Sequence, residues 1–202
     1  MAAENISAVQ RRCPLTCAQT VFHLSRIICS TATLASRRPA FVAAQIPALI
    51  LPDGQLMTES AAICLFLGDA HKETKLAPQP GNPGRAAYLR WMVYLAANVY
   101  EADLRCYYSD RYTSDAEGAE AVKSCAIDQM NTAFAIIDEH LSRHEWLADK
   151  TMSAADIYMA MLASWHPDIP ALKLACPRVA GVWEKVAKVD FVKNANTFHK
   201  LW

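Results

Sequence analysis

Two short runs hold the residues best suited to chemistry. In IPALILPDGQLMTESAAI, from Ile46 to Ile63, a Glu-Ser pair opens an apolar helix. The start of a helix offers free N–H groups and a partial positive charge. Ser60 can there donate its hydroxyl and backbone N–H to a carboxylate, while Glu59 can accept from an ammonium. Two adjacent residues of opposite hydrogen-bonding sense suit a zwitterionic ligand. The plainer reading of the pair is an N-cap, with Ser60 capping and Glu59 in water. The second run is Cys13-Pro14. Proline suits the first helical position, so Cys13 falls where a loop enters a helix, a place that favours the thiolate. The plainer reading there is an ordinary thiol.

Elements around these residues must position them. The apolar run 48–51, the Pro52-Asp53-Gly54 turn and the return run 55–58 predict a hairpin, the first strand of it buried. Residues 60–70 then predict a buried helix, apolar on nearly every side. Upstream, 5–10 has weak strand alternation, 15–28 is roughly helix-spaced, and 29–35 is β-branched enough for a strand. From His71 to Gly84, three Pro and two Gly exclude regular structure and mark a linker. Beyond it every element is helical: 85–111, 116–143, 153–165, 177–188 and 190–199. The second of these carries Val122, Ala126, Met130, Ala133, Ile137 and Leu141 in one stripe. Ser153 and Asp156 form a capping box, with Met152 and Ile157 as its staple. That signal is structural, worth about 1 kcal/mol, and locates the helix.

Composition narrows the function classes. The chain has 202 residues, 53% hydrophobic and 20% charged, so it can bury a substantial core. Lys+Arg and Asp+Glu balance at 20 each, which leaves no electrostatic footprint for nucleic acid or an anionic membrane. No apolar run reaches the roughly 18–20 residues of a membrane span. Seven cysteines are scattered, without a C-x2-C pair or zinc-finger spacing, which reads as reduced thiols in a cytoplasmic protein. Residues 1–52 hold five Arg, no Lys and a single acid, Glu4. A transit peptide has such a composition, but the apolar pattern there also fits folded structure.

The Ile-Pro step, the hairpin and the Glu-Ser helix start resemble the glutathione-binding half of the cytosolic glutathione S-transferases, bacterial type. HEWLADKTMSAADIYMAMLASW and RWMVYLAANVYEADLR resemble segments of that family's helical domain. The likeness is good from Gln45 onward and poor over residues 1–44. It implies an α/β thioredoxin-like N-terminal domain plus an all-α helical C-terminal domain, divided as 1–72, a linker 73–84, and 85–202. It implies glutathione as co-substrate, with no metal, its thiol activated for attack on a small hydrophobic electrophile or for thiol transfer by a cytoplasmic homodimer active in detoxification. By the same likeness Glu59 and Ser60 hold the γ-glutamyl group, and the backbone of Ile46, turned by a cis Pro47, holds the cysteinyl part. Gln45 reaches the glycyl carboxylate. Asn98 serves the γ-glutamyl group of the neighbouring subunit, Tyr100 and Glu101 face the electrophile pocket, and Cys13 activates the thiol. The Cys13 to Pro47 interval is several residues shorter than the family's. The alternative is therefore a non-catalytic module that keeps the fold for dimerisation or partner contact and has lost the activating residue.

Overall fold

A computed structural model describes residues 47–51, 53–115, 117–148 and 150–199. The elements expected over 5–10, 15–28 and 29–35 lie outside the described residues, as do Cys13, Gln45 and Ile46. After Pro47 comes the hairpin. Strand β1 (Ala48–Ile50) pairs antiparallel with β2 (Leu56–Thr58), Leu49 facing Met57. Gly54 turns the chain at φ 86°, a left-handed value that glycine adopts without strain. The Asp53 carboxylate accepts the Gln55 N–H at 2.9 Å. The pleat sends Leu49 and Met57 toward the core and Ile50 and Leu56 outward, 45% and 48% exposed. The expectation of a buried first strand is thus corrected: the side chains alternate, and among the described residues only the Leu49–Met57 face packs on the core.

Helix α1 (Ser60–Ala70) has the expected bounds and buries Ile63, Cys64, Leu67 and Gly68. Gly68 is required by a close approach. A Cβ there would lie 2.6 Å from the Ala77 Cβ, so any side chain would push the following loop away. The end of α1 is clasped to the next helix by a two-pronged ion pair, Arg85 donating to both Asp69 oxygens at 2.6 and 2.8 Å.

The long helix expected over 85–111 is not uniform. It runs as α2 (Arg85–Tyr94), a π segment (Leu95–Tyr100) and α3 (Glu101–Tyr107), then a 3-10 turn, Ser109–Tyr112. Next come α4 (Ala119–Leu141) and α5 (Ala154–Ser164), followed by α6 (Ile169–Ala175), α7 (Pro177–Ala187) and α8 (Asp190–His199). Helix α6 was not expected. Seven residues are too few to show a period, and its signals are local: Asp168 caps the Ala171 N–H at 2.9 Å, and Pro170 sits in the first turn.

The core lies among these helices. Trp91, Met92, Leu95 and Val99 meet Met130, Phe134 and Ile137 of α4 and Met159 and Leu162 of α5, all fully buried. On the α4 stripe only Val122 is half-buried. Asp138 of α4 also reaches across to cap α7, accepting the N–H groups of Arg178 and Val179 at 2.7 and 3.0 Å. No described helix is long and apolar enough to cross a membrane.

Candidate functional site

The start of α1 carries the local chemistry. Glu59, just before it, sits at φ 69°, ψ 110°, a backbone state that costs a side-chain-bearing residue about 1–3 kcal/mol. Its carbonyl accepts the first helical bond, from the Ile63 N–H at 2.9 Å. Its carboxylate makes no capping bond. The first N–H groups of α1 lack intrahelical partners, and the Glu59 side chain caps none of them.

Ser60 is buried, and its hydroxyl lies 2.8 Å from the Tyr158 hydroxyl, contributed by α5. Burial pushes the Tyr158 phenol well above its usual range, so it stays protonated. With Tyr158 donating, the Ser60 proton is left free for a further acceptor. This bond ties the first turn of α1 to the capping-box helix, 98 residues on.

Opposite the first turn lies the π segment with α3. Pro47, Thr58, Glu59 and Ser60 form one wall of a cavity of about 620 Å³, and Ala96, Tyr100, Glu101, Leu104, Tyr108, Arg111 and Tyr112 form the other. The size is that of a small-molecule site. Ala96, Tyr100, Leu104, Tyr108 and Tyr112 repeat every four residues. In a regular α-helix such a row drifts around the axis, because a turn holds 3.6 residues. The wider π turn offsets part of that drift and keeps the row on the cavity. Glu101 is engaged by Arg105 in an i,i+4 ion pair.

Of the residues singled out from sequence, Pro47, Glu59, Ser60, Tyr100 and Glu101 therefore meet around one space. Asn98 does not join them. It lines a separate cavity against α4, with Tyr94, Arg105 and Asp128 among its neighbours, and donates to the Tyr94 carbonyl at 3.1 Å. Tyr158, Tyr108, Arg111 and Tyr112 were missed. The four-residue row was a sequence signal for Tyr108 and Tyr112; nothing local marked Tyr158, whose partner is remote in sequence.

The three buried cysteines among the described residues, Cys64, Cys106 and Cys176, are not poised as nucleophiles. Burial pushes the Cys64 thiol up to about 12 and Cys176 up to about 11, and it raises Cys106 as well. Such thiols stay protonated near neutrality. Among the described residues no group of three or more His, Cys, Asp or Glu side chains is placed to hold a metal ion.

With this geometry, similarity to known proteins becomes informative. The family model for the "Glutathione S-transferase, C-terminal domain" matches residues 95–189. A sphingomonad glutathione S-transferase, solved in complex with glutathione, superposes with a TM-score of 0.69 at 22% identity, over 94% of this chain and 97% of that one. The chain has the glutathione S-transferase fold. The expected architecture, an α/β domain followed by an all-helical one, is the one this fold carries. Among curated relatives, the uncharacterized GST-like protein YncG of Escherichia coli (strain K12) is 29% identical over 123 residues, 61% of this chain. The chain spans only 58% of YncG's length. Glutathione S-transferase GstA of Escherichia coli O157:H7 is 22% identical over 151 residues, 75% of this chain and 72% of GstA. In this transferase fold the hairpin, the bent Glu59 and the π segment face one another across the cavity.

Proposed function

We propose that this chain is a glutathione transferase, which binds glutathione at the mouth of α1 and activates its thiol for attack on a small hydrophobic electrophile or for thiol transfer. The observation that carries the reading is the single cavity shared by Pro47, Glu59 and Ser60 on one side and Tyr100 and Glu101 on the other. The γ-glutamyl carboxylate of glutathione takes the free N–H groups of the first turn and the Ser60 proton; its ammonium takes Glu59. The solved glutathione complex of a chain with this fold supports the choice of ligand. In this reading residues 1–72 make the glutathione-binding domain, 73–84 the linker and 85–202 the helical domain. The working unit is a cytoplasmic homodimer acting in detoxification, with Asn98 serving the neighbouring subunit. Ile46 and Gln45 hold the cysteinyl and glycyl parts of the ligand.

Calorimetric titration tests the assignment. Ser60→Ala and Glu59→Ala are each expected to weaken glutathione binding by about 1–3 kcal/mol, the range for stranding a charged partner. Unchanged affinity in both variants removes the site.

Cys13 is the proposed activating residue. The glutathione thiol ordinarily titrates near 8.5, so a shift of about one or two units supplies thiolate at neutral pH. A Cys13 thiolate also attacks glutathione disulfide: a Cys13–glutathione S–S bond forms, the original S–S bond breaks, and the departing glutathione sulfur carries off the electron pair. Cys13→Ala is expected to abolish this adduct in intact-mass spectra. A persisting glutathione mass would assign the chemistry to another thiol, such as the exposed Cys125.

A further inference from the structure

The cavity has a second end with a chemical character of its own. Away from Ser60 it is walled by Tyr100, Leu104, Tyr108 and Tyr112, with Arg111 beside them. Tyr108 and Tyr112 are each 44% exposed, so a ligand can reach their rings. Glu101, the α3 carboxylate that lines the cavity, is paired with Arg105. Arg111 differs. Among the described residues it has no carboxylate partner, and its guanidinium stands 4.2 Å from the centre of the Tyr108 ring. A guanidinium laid on an aromatic face is held in orientation while its N–H edge stays free. That edge matches a carboxylate or another planar anion in a two-pronged bond.

We propose that this end of the cavity selects an aromatic electrophile bearing an anionic group, its ring among Tyr100, Tyr108 and Tyr112 and its charge on Arg111. The proposal rests on reading the Ser60 end as the glutathione site, since the two ends share one space. Three aromatic side chains favour a ring over an aliphatic chain, and one unpaired cation favours a single negative charge. Glu59, the acid at the opposite end, is occupied by the glutathione ammonium when both substrates are bound.

A pair of acceptors differing by one carboxylate tests it: chlorodinitrobenzoate and chlorodinitrobenzene. With either, the glutathione thiolate adds to the ring carbon bearing chlorine. The C–S bond forms, the C–Cl bond breaks, chloride leaves with the bonding pair, and the thiol proton passes to solvent. The measured quantity is kcat/KM for the benzoate divided by that for the neutral acceptor. Arg111→Gln is expected to lower this ratio about tenfold, the scale of one charge-assisted contact, chiefly through KM for the benzoate. Arg111→Lys is expected to retain more of it, because the charge remains. A ratio unchanged in Arg111→Gln overturns the proposal and leaves the transferase reading standing.

Direct titration of dinitrobenzoate and dinitrobenzene, without glutathione, separates the two readings. Arg111-dependent binding of the benzoate in a protein that conjugates neither acceptor would uphold the anion-selective aromatic site and overturn the transferase. Equal binding of both probes, unaltered in Arg111→Gln, overturns the selective site whatever the turnover.

Discussion

Asp156→Ala is expected to destabilise the protein by about 3–5 kcal/mol, because it strands three buried donors, each worth about 1–3 kcal/mol before relaxation. One Asp156 oxygen accepts the Leu147 N–H at 2.8 Å; the other accepts the Ser153 N–H at 2.8 Å and the Ser153 hydroxyl at 2.9 Å. Asp156 itself is wholly buried. A surface capping box is worth only about 1 kcal/mol. The larger effect here comes from burial and from Leu147, which ties the approach loop to the helix start. The neighbouring Ala154 N–H adds a tie to the loop between α1 and α2, donating to the Leu76 carbonyl at 2.7 Å. Urea unfolding measures the loss, and Asp156→Asn, which keeps one acceptor oxygen, should lie between the two. A loss below about 1 kcal/mol would mean that the loop satisfies these donors in another way. Since α5 carries Tyr158, which holds Ser60, Asp156→Ala should also lower glutathione affinity at temperatures where α5 begins to loosen.

The second large effect comes from Asp103 on α3. It is 2% exposed, and neither of its carboxylate oxygens has a hydrogen-bond partner among the described residues. Tyr100, Cys106, Tyr107 and Tyr158 feel its charge, and none relieves it. Burial raises its pKa from 3.8 to about 7. Below the lower value both folded and unfolded chains hold the proton. Between the two values only the unfolded chain releases it, so stability falls as pH rises through this window and levels off above it. The full loss is on the order of 4 kcal/mol, from 1.36 kcal/mol for each unit of pKa. Asp103→Asn keeps the shape and removes the titration. The variant should gain on the wild type between about pH 4 and about pH 8 by that amount, in paired urea unfolding series. Parallel stability curves would mean that Asp103 finds a partner or water in solution.

Asp103 also shows how sequence and structure divide the problem. In EADLR it reads as one more charged residue on an amphipathic helix. Only packing of α3 against α4 and the rest of the core turns it into a buried carboxylate without a hydrogen-bond partner among the described residues. Ser60 lies midway: its place at a helix start is legible from Glu-Ser after a hairpin, but its bond to Tyr158 is not. The π segment was likewise hidden, since LAANVY has ordinary helical composition and the wider turn depends on its surroundings. Ile50 and Leu56, apolar yet exposed, escaped for a related reason: an apolar run shows affinity for a core without saying which face will meet one.

The sequence by itself determined the local signals: the hairpin turn at Asp53-Gly54, the bounds of α1, the Ser153–Asp156 helix start and the α4 stripe. Each depends on residues within a few positions of one another, where backbone sterics, capping and periodicity act. The tertiary structure alone decided which of these signals meet. It joined the mouth of α1 to Tyr100 across a cavity, set Tyr158 on Ser60, turned Asn98 to another face and laid Arg111 on the Tyr108 ring. Those outcomes depend on the packing of helices far apart in the chain, and no short-range pattern of residue types encodes such distances.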